Sequence, residues 1–530
     1  MRKSCFVACA HGVAAAAFAI TAARSAAAQD LPTGRFAGRG LVLTIGSDAT
    51  WSVAIASGTV QVSGTYRVVN GQVEFTDKPG PRACAEGTGR YAWRYAADTL
   101  RFTVVDDPCS GRRSAFASPW TVVREALALT HATIIDGTGA APRAGMTIVM
   151  RGGRIAAVYA DGAQALPPDA TERNAAGMFV LPGLIDAHVH NATNPSGEDR
   201  RPVVEQRLRN ALLGGVVAVR DMGGDGRALA DLQRAAAAGD IVSPDIHYSA
   251  IIAGPAFFGD PRVLASSVGY APGAAPFTRA VTDTSDLRQV IAEARGAGAT
   301  AVKMYAALDG ATAKRVADEA KRQGLRVWAH LALFPARPSE VVAAGVDVVS
   351  HIDYALWDVA LRLPDYSQRR QTDMSITPQN PAIQRLFALM RARGTMLDPT
   401  LWVYRAPGNA PDTSIAKRRE RLAIEFTRAA HAAGVRLAAG TDGMSADSAG
   451  ALPNIHHEME LLVLAGLTPM EAIVAATQTN AIAAGFERDH GTIAVGKAAD
   501  LLVLDADPTA DIRNTTKITY VVRRGLVLQR

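Results

Sequence analysis

LPGLIDAHVH, residues 181–190, is the stretch on which the reading of this chain turns. It reads as a short apolar strand that closes on His188 and His190, two positions apart. On an extended backbone alternate residues share a face, so both imidazoles point the same way and can bind one cation together. Alone, a His-x-His pair is weak evidence, because strand histidines are often simply packed.

Eight short apolar runs of this kind follow one another. They are Leu184–His190, Val216–Asp221, Ile246–Ile251, Ala301–Tyr305, Arg326–His330, Asp347–His351, Met396–Thr400 and Val435–Asp442. Helical stretches at Val204–Leu213, Ala228–Ala238, Asp286–Ala297, Ala311–Gln323 and Ile415–Ala433 separate several of them. Eight βα units over about 300 residues predict an α/β protein built on a TIM (β/α)8 barrel, spanning residues 181–483. A doubly wound open sheet is the alternative, but no Gly-x-Gly-x-x-Gly follows the first strand.

The same strands end in chemistry. Lys303 closes AVKMY, His330 closes VWAH, His351 closes DVVSH and Asp442 closes AAGTD. With His188 and His190 they make a set of six at the end of the barrel where such folds gather catalytic groups. The loops 254–276 and 363–381, rich in Gly, Pro and aromatic or basic residues, follow predicted strand ends and are the expected binding loops.

The flanks read differently. Residues 31–122 lack helical periodicity and show alternating runs at Leu41–Ile45, Trp51–Ile55, Gly64–Val69, Val73–Thr76, Arg90–Tyr95 and Leu100–Val105. Asn70-Gly71 between two of them is a strong hairpin signal. This region is expected to be a small antiparallel β-barrel or sandwich, weakly similar to lipocalin-like modules, and a structural or partner-binding appendage rather than a ligand carrier. Strand pairs at 127–180 and again at 484–530 flank the barrel on both sides.

Residues 1–28 read as a signal peptide, with basic Arg2-Lys3, an apolar Gly12–Ile20 and Ala26-Ala27-Ala28 before Gln29. The expected location is exported, periplasmic or extracellular, and no stretch is long and uncharged enough to span a membrane. Cys5 and Cys9 leave with that segment, and the remaining pair, Cys84 and Cys109, is expected to form one disulfide in an oxidising compartment. Hydrophobic residues at 48% and charged residues at 20%, with a mean hydropathy of +0.06, exclude a disordered chain. The formal charge of +6 on 530 residues falls to +3 without residues 1–28, too little and too scattered for nucleic acid.

Taken together, LPGLIDAHVH, the Lys, His, His and Asp order, SHIDY (350–354), HHEMELLVLAGLTPMEAI (456–473) and the closing GTIAVGKAADLLVLDADP (491–508) resemble the amidohydrolase superfamily. The likeness is to its imidazolonepropionase-like and prolidase-like members. It spans roughly Leu127 to Arg530 and leaves out residues 31–122. It implies a metal-dependent hydrolase barrel with a composite β-sandwich assembled from 127–180 and 484–530. It also implies that His188, His190 and Asp442 hold one divalent metal and His330 and His351 a second, bridged by a carbamate on Lys303. Zinc suits those ligands, and manganese, cobalt or iron fit the same geometry. A mononuclear site beside a salt-bridged Lys303 stays open.

The expected activity is hydrolysis of a C–N bond by a metal-bound hydroxide, with a dipeptide or cyclic amide as small-molecule substrate and Asp442 as proton carrier. Deamination, lactone or phosphotriester hydrolysis, and a non-catalytic binding role are the alternatives; the complete set of six favours an enzyme. Tyr305 is expected to meet the substrate carbonyl or oxyanion. Arg220 is a candidate substrate contact, with a buried pair with Asp221 that orients the ligands around it as the favoured reading. Arg369, Arg370, Tyr404 and Arg405 read as loop residues able to clamp a carboxylate or simply solvated. His247 reads as core, and His456 and Glu458 as a solvated helix start.

Overall fold

Alternating residues in the N-terminal region build eight strands: β1 (Gly34–Gly38), β2 (Leu41–Ile45), β3 (Thr50–Ile55), β4 (Val60–Val69), β5 (Gln72–Asp77), β6 (Gly89–Ala96), β7 (Thr99–Asp106) and β8 (Trp120–Val122). Each pairs with the next, and β1 returns to β8, closing an antiparallel barrel. The hairpin expected at Asn70-Gly71 is present, with φ of 52° and 73° at the two turn residues and Val69 opposite Gln72. Both angles lie in the left-handed region that a two-residue hairpin of this type requires. The sequence reading misses β1 and β8, whose short segments show too little alternation to register. In this computed structural model the described residues are 31–55, 59–80, 82–84, 87–96, 99–123, 125–191, 200–405, 413–443 and 448–529. The expected signal segment lies outside them.

Aromatic side chains fill the interior of this barrel. Phe116, carried in by the helix Ser110–Phe116, packs 4.7 Å from Phe102 and 4.8 Å from Phe75 between ring centres. Cys84 and Cys109 are joined in a disulfide, their Cα atoms 5.9 Å apart. Buried Arg112 bonds Asp77 at 2.6 Å and Asp107 at 2.8 Å, so its charge is matched on both sides.

The chain divides into this unit, Met1–Arg124, and a second, Glu125–Arg530. The second begins with β9 (Ala126–Ile134), β10 (Arg143–Arg151), β11 (Arg154–Ala160), β12 (Ala170–Asn174) and β13 (Phe179–Pro182). It ends with β23 (Leu501–Leu504), β24 (Ile518–Arg523) and β25 (Leu526–Leu528). These strands from the two flanks join in one eight-stranded sheet, ordered β11-β10-β9-β13-β23-β24-β25 with β12 also on β9.

Between the flanks run the parallel strands β14 (Leu184–Val189), β15 (Val216–Asp221), β16 (Asp245–Ala253), β19 (Ala301–Met304), β20 (Arg326–His330), β21 (Val348–Ser350) and β22 (Met396–Asp398). A small hairpin, β17 (Ala274–Ala275) and β18 (Thr278–Ala280), is added beside β16. Helices cover the strands, and their starts are written in the sequence. Asp225, Asp286, Asp309 and Asn380 each accept a backbone N–H at the head of one. The helix Gly310–Arg322 shows the pattern: Ala313, Val316, Ala317 and Ala320 face inward, and Lys321 and Arg322 close its last turn.

The eighth expected strand departs from the expectation. Residues 435–443 make only isolated bridges, Leu437 to Leu397 of β22 and Gly443 to Val189 of β14. The barrel is thus closed by side chains as much as by a ladder. Asn480 donates to the Ile185 and Ala439 carbonyls, each at 2.6 Å, and accepts from the Ala439 N–H at 2.8 Å. Asp186 accepts from the Thr441 hydroxyl at 2.8 Å and the Thr441 N–H at 3.2 Å. Regular pairing is lost because Gly440 passes so close to its neighbours that a Cβ there would lie 2.5 Å from the His188 Cβ. The next turn places Asp442 at a φ of 48°.

Asn480→Ala removes three bonds to buried backbone groups and is expected to cost about 3 kcal/mol, at about 1 kcal/mol each. A urea midpoint followed by far-UV circular dichroism checks this; an unshifted midpoint contradicts the closure described.

Candidate metal centre and cavity

Five of the six strand-end residues stand around one point. The Asp442 Oδ1 lies 3.1 Å from the Nε2 of His188 and 3.1 Å from the Nε2 of His190. The His351 ring centre is 5.4 Å from that of His188 and 4.9 Å from that of His330. Ligand atoms of His188, His190 and Asp442 all fall within 4.8 Å of one another, a spacing one cation can bridge. The backbone holds this pose: the Asp442 N–H donates to the His188 carbonyl at 2.9 Å.

Each buried histidine is oriented by its other nitrogen. His188 Nδ1 bonds Asp398 at 2.6 Å, His330 Nδ1 bonds the Tyr305 carbonyl at 2.8 Å, and His351 Nδ1 bonds the Thr400 hydroxyl at 2.9 Å. Such contacts fix the ring and the tautomer and leave Nε2 as the atom to offer a cation. His351 and Thr400 sit at φ of 71° and 52°, backbone strain concentrated at the site.

Charge follows the same geometry. Burial opposes protonation of His188, yet Asp442 and Asp398 outweigh it and raise the imidazole to about 9. Burial also works against charge on Asp442, and His188 and His190 overcome it, holding the carboxyl well below the usual carboxylate range. His330 and His351 are pushed down by burial, with the Lys303 charge adding to it, and so are neutral imidazoles. The donor set, four imidazoles around a carboxylate, fits a divalent metal.

Lys303 is fully buried at the end of β19, where its ammonium donates to the Ser350 hydroxyl at 2.7 Å. Burial lowers it to about 8, against the pull of Asp398 and Asp442. Tyr305 shares its face, as expected. Its phenol donates to the Met222 carbonyl at 3.1 Å, and its ring packs 4.6 Å from that of His330.

His190, Tyr305, His330, His351 and Asp442 open on a cavity of about 470 Å³. Both expected loops supply its walls, Phe257 and Arg262 from one, Tyr366, Arg369 and Arg370 from the other. Tyr404 also lines it and donates to Asp353 at 2.6 Å; Arg405 instead pairs with Glu420.

Three expectations are corrected. Arg220 does not face the cavity: it is wholly buried and donates to the Thr300 hydroxyl at 3.1 Å and to the Ala484 carbonyl. Nor does it pair with Asp221, which projects to the other side of β15 and accepts from the Asn191 and Gly223 N–H groups. Glu458 and His456 are buried rather than solvated. Glu458 accepts from the Leu401 and Trp402 N–H groups at 3.0 and 2.6 Å, and His456 bonds Thr515 and the Gly214 carbonyl.

Sequence reasoning missed Asp398, Ser350, Asp186 and Asn480. Asp398 alone carried a usable sign, an acidic residue at a predicted strand end. A second cluster, Asp245, His490 and Asp500, also has metal-like spacing. There Arg523 bonds both carboxylates at 2.5 Å and already supplies the positive charge.

No curated protein matches the chain in sequence. Among solved structures, a protein assigned as a prolidase in Bifidobacterium longum is 27% identical, with a TM-score of 0.57 over 77% of this chain and 95% of that one. A prolidase complexed with N-methylphosphonate-L-proline is 22% identical, with a TM-score of 0.61 over 76% of this chain and 100% of the other. Molinate hydrolase is 21% identical, with a TM-score of 0.59 over 76% and 94%. Residues 179–528 match the amidohydrolase family profile, so the chain belongs to the amidohydrolase family and is a hydrolase acting on carbon–nitrogen bonds.

Proposed function

We propose that this protein is an exported, metal-dependent amidohydrolase that cleaves the C–N bond of a dipeptide or cyclic amide. The observation that carries the reading is the Asp442 carboxylate oxygen 3.1 Å from two histidine Nε2 atoms on the cavity floor. His188, His190 and Asp442 would hold one cation, and His330 and His351 a second. Lys303, converted to a carbamate, would bridge them, because an anionic oxygen ligand suits that place and a buried ammonium does not. When bound, a divalent cation acidifies the attacking water and polarises the substrate carbonyl.

The chain's own residues do the rest. Asp442, ionised and on the floor of the cavity, takes the proton of the water and returns it to the leaving nitrogen. Tyr305 is kept protonated by burial and is the donor for the developing oxyanion once it gives up its bond to the Met222 carbonyl. Asp398 and Thr400 keep the histidines aimed. The likeness to a prolidase-assigned structure supports the dipeptide side of the proposal. The Cys84–Cys109 disulfide supports export, since such bonds persist in oxidising compartments.

Asp442→Asn is expected to lower kcat by at least about 1,000-fold with circular dichroism unchanged, as loss of a ligand and proton carrier together demands. Near-normal turnover removes Asp442 from the chemistry. Asp398→Asn, which leaves the His188 Nδ1 without its carboxylate partner, is expected to weaken metal binding by about 10- to 100-fold in a chelator competition. An unaltered affinity contradicts the orienting role.

A further inference from the structure

Two histidines of the candidate metal centre hang from one short turn. Asp398 closes β22, and its carboxylate meets the His188 Nδ1 at 2.6 Å. Two residues on, the Thr400 hydroxyl meets the His351 Nδ1 at 2.9 Å. The backbone repeats the link, since the His351 N–H donates to the Asp398 carbonyl at 3.1 Å. Where residues 398–400 stand therefore decides where both rings point, His188 in one proposed metal pocket and His351 in the other.

That turn does not hold itself. Thr400 sits at a φ of 52°, a conformation that a β-branched residue keeps only where its surroundings impose it. A hold reaches in from the helix Ile455–Leu464. Glu458, wholly buried, accepts from the Leu401 N–H at 3.0 Å with one carboxyl oxygen and from the Trp402 N–H at 2.6 Å with the other. The same helix lays the His457 ring on that of Trp402, with centres 4.6 Å apart and planes at 16°. A carboxyl here is costly: burial pushes it well above the usual range and Asp398 and Asp186 add to that, while the two N–H bonds work against it. An apolar side chain would fill the space at lower cost but leave both N–H groups buried and unanswered.

We infer that Glu458 is a positioning residue for the metal centre: by fixing the two N–H groups that follow Thr400, it sets the poses of His188 and His351 together. The inference rests on the metal-dependent reading above and adds to it a residue that bonds neither histidine and does not line the cavity. Glu458→Gln isolates the effect, because it keeps the size of the side chain. Charged or neutral, a carboxyl accepts at both oxygens, whereas an amide accepts at one and turns its NH2 toward the other N–H.

The test uses full-length protein freed of metal by a chelator, with Co2+ as the probe. It compares the wild type with Glu458→Gln and with His456→Ala. His456 is the control: it seats the same helix through two bonds, to Thr515 and the Gly214 carbonyl, and lies two residues from Glu458, on another face. In Glu458→Gln the ring signals of both His188 and His351, followed by 15N NMR of histidine-labelled protein, are expected to shift. Chelator competition is expected to show Co2+ binding weakened about 10- to 100-fold. Both readouts stay as in the wild type in His456→Ala. Glu458→Asp, which keeps both acceptors on a stem one methylene shorter, is expected to fall between, and carries the comparison where the amide variant does not fold. Unmoved rings, an unweakened affinity, or an equal effect of Glu458→Gln and His456→Ala overturns the inference. A wild type that takes up no Co2+ tells against the metal-dependent reading instead, and the ring signals alone then decide whether Glu458 sets the two poses.

Discussion

A single carboxylate, that of Asp442, is what the second unit is arranged to place. Its oxygen sits 3.1 Å from two histidines that come from the other end of the barrel's chain. Bringing them together requires residues 435–443 to pass tightly between β22 and β14, and that passage is incompatible with an ordinary strand. The consequences spread outward: Gly440 is needed for clearance, Asn480 and Asp186 replace missing ladder bonds, and Asp442 takes a left-handed φ of 48°. Regularity is given up at the one place where the site needs an irregular turn.

Around this point the protein keeps charge buried that water would otherwise solvate. Lys303, His188 and Asp398 are each at most 1% exposed, so each must find its partner inside. His188 stands between Asp398 and Asp442, a cation held by two anions. A metal that takes its Nε2 substitutes one positive charge for another and leaves the Asp398 bond in place. The arrangement is thus electrostatically coherent both with a proton and with a cation.

Much of this was legible in the sequence for physical reasons. Strand-end histidines, the lysine and the aspartate recur with the βα repeat, and a barrel turns that repeat into convergence. Asn70-Gly71 announced its hairpin because only such residues adopt those angles easily. The rest was hidden where side chains replace backbone pairing. Val435–Asp442 reads as a strand by composition, and nothing in its own residues reports that Asn480, 41 positions away, supplies its bonds. Arg220 misled for a related reason. It neighbours Asp221 in sequence, but alternation along β15 sends the two side chains to opposite faces. The burial of Glu458 and His456 depended on contacts with Leu401, Thr515 and Gly214, none of which is near in sequence.

The six strand-end residues are proposed to form a bridged metal centre. The direct measurement is the metal content of protein purified without chelators and with bicarbonate present, compared with Lys303→Ala prepared in the same way. The account predicts about two equivalents of divalent metal per chain, falling in the variant, as a two-metal site with a shared ligand requires. About one equivalent or less, indifferent to Lys303, would contradict it.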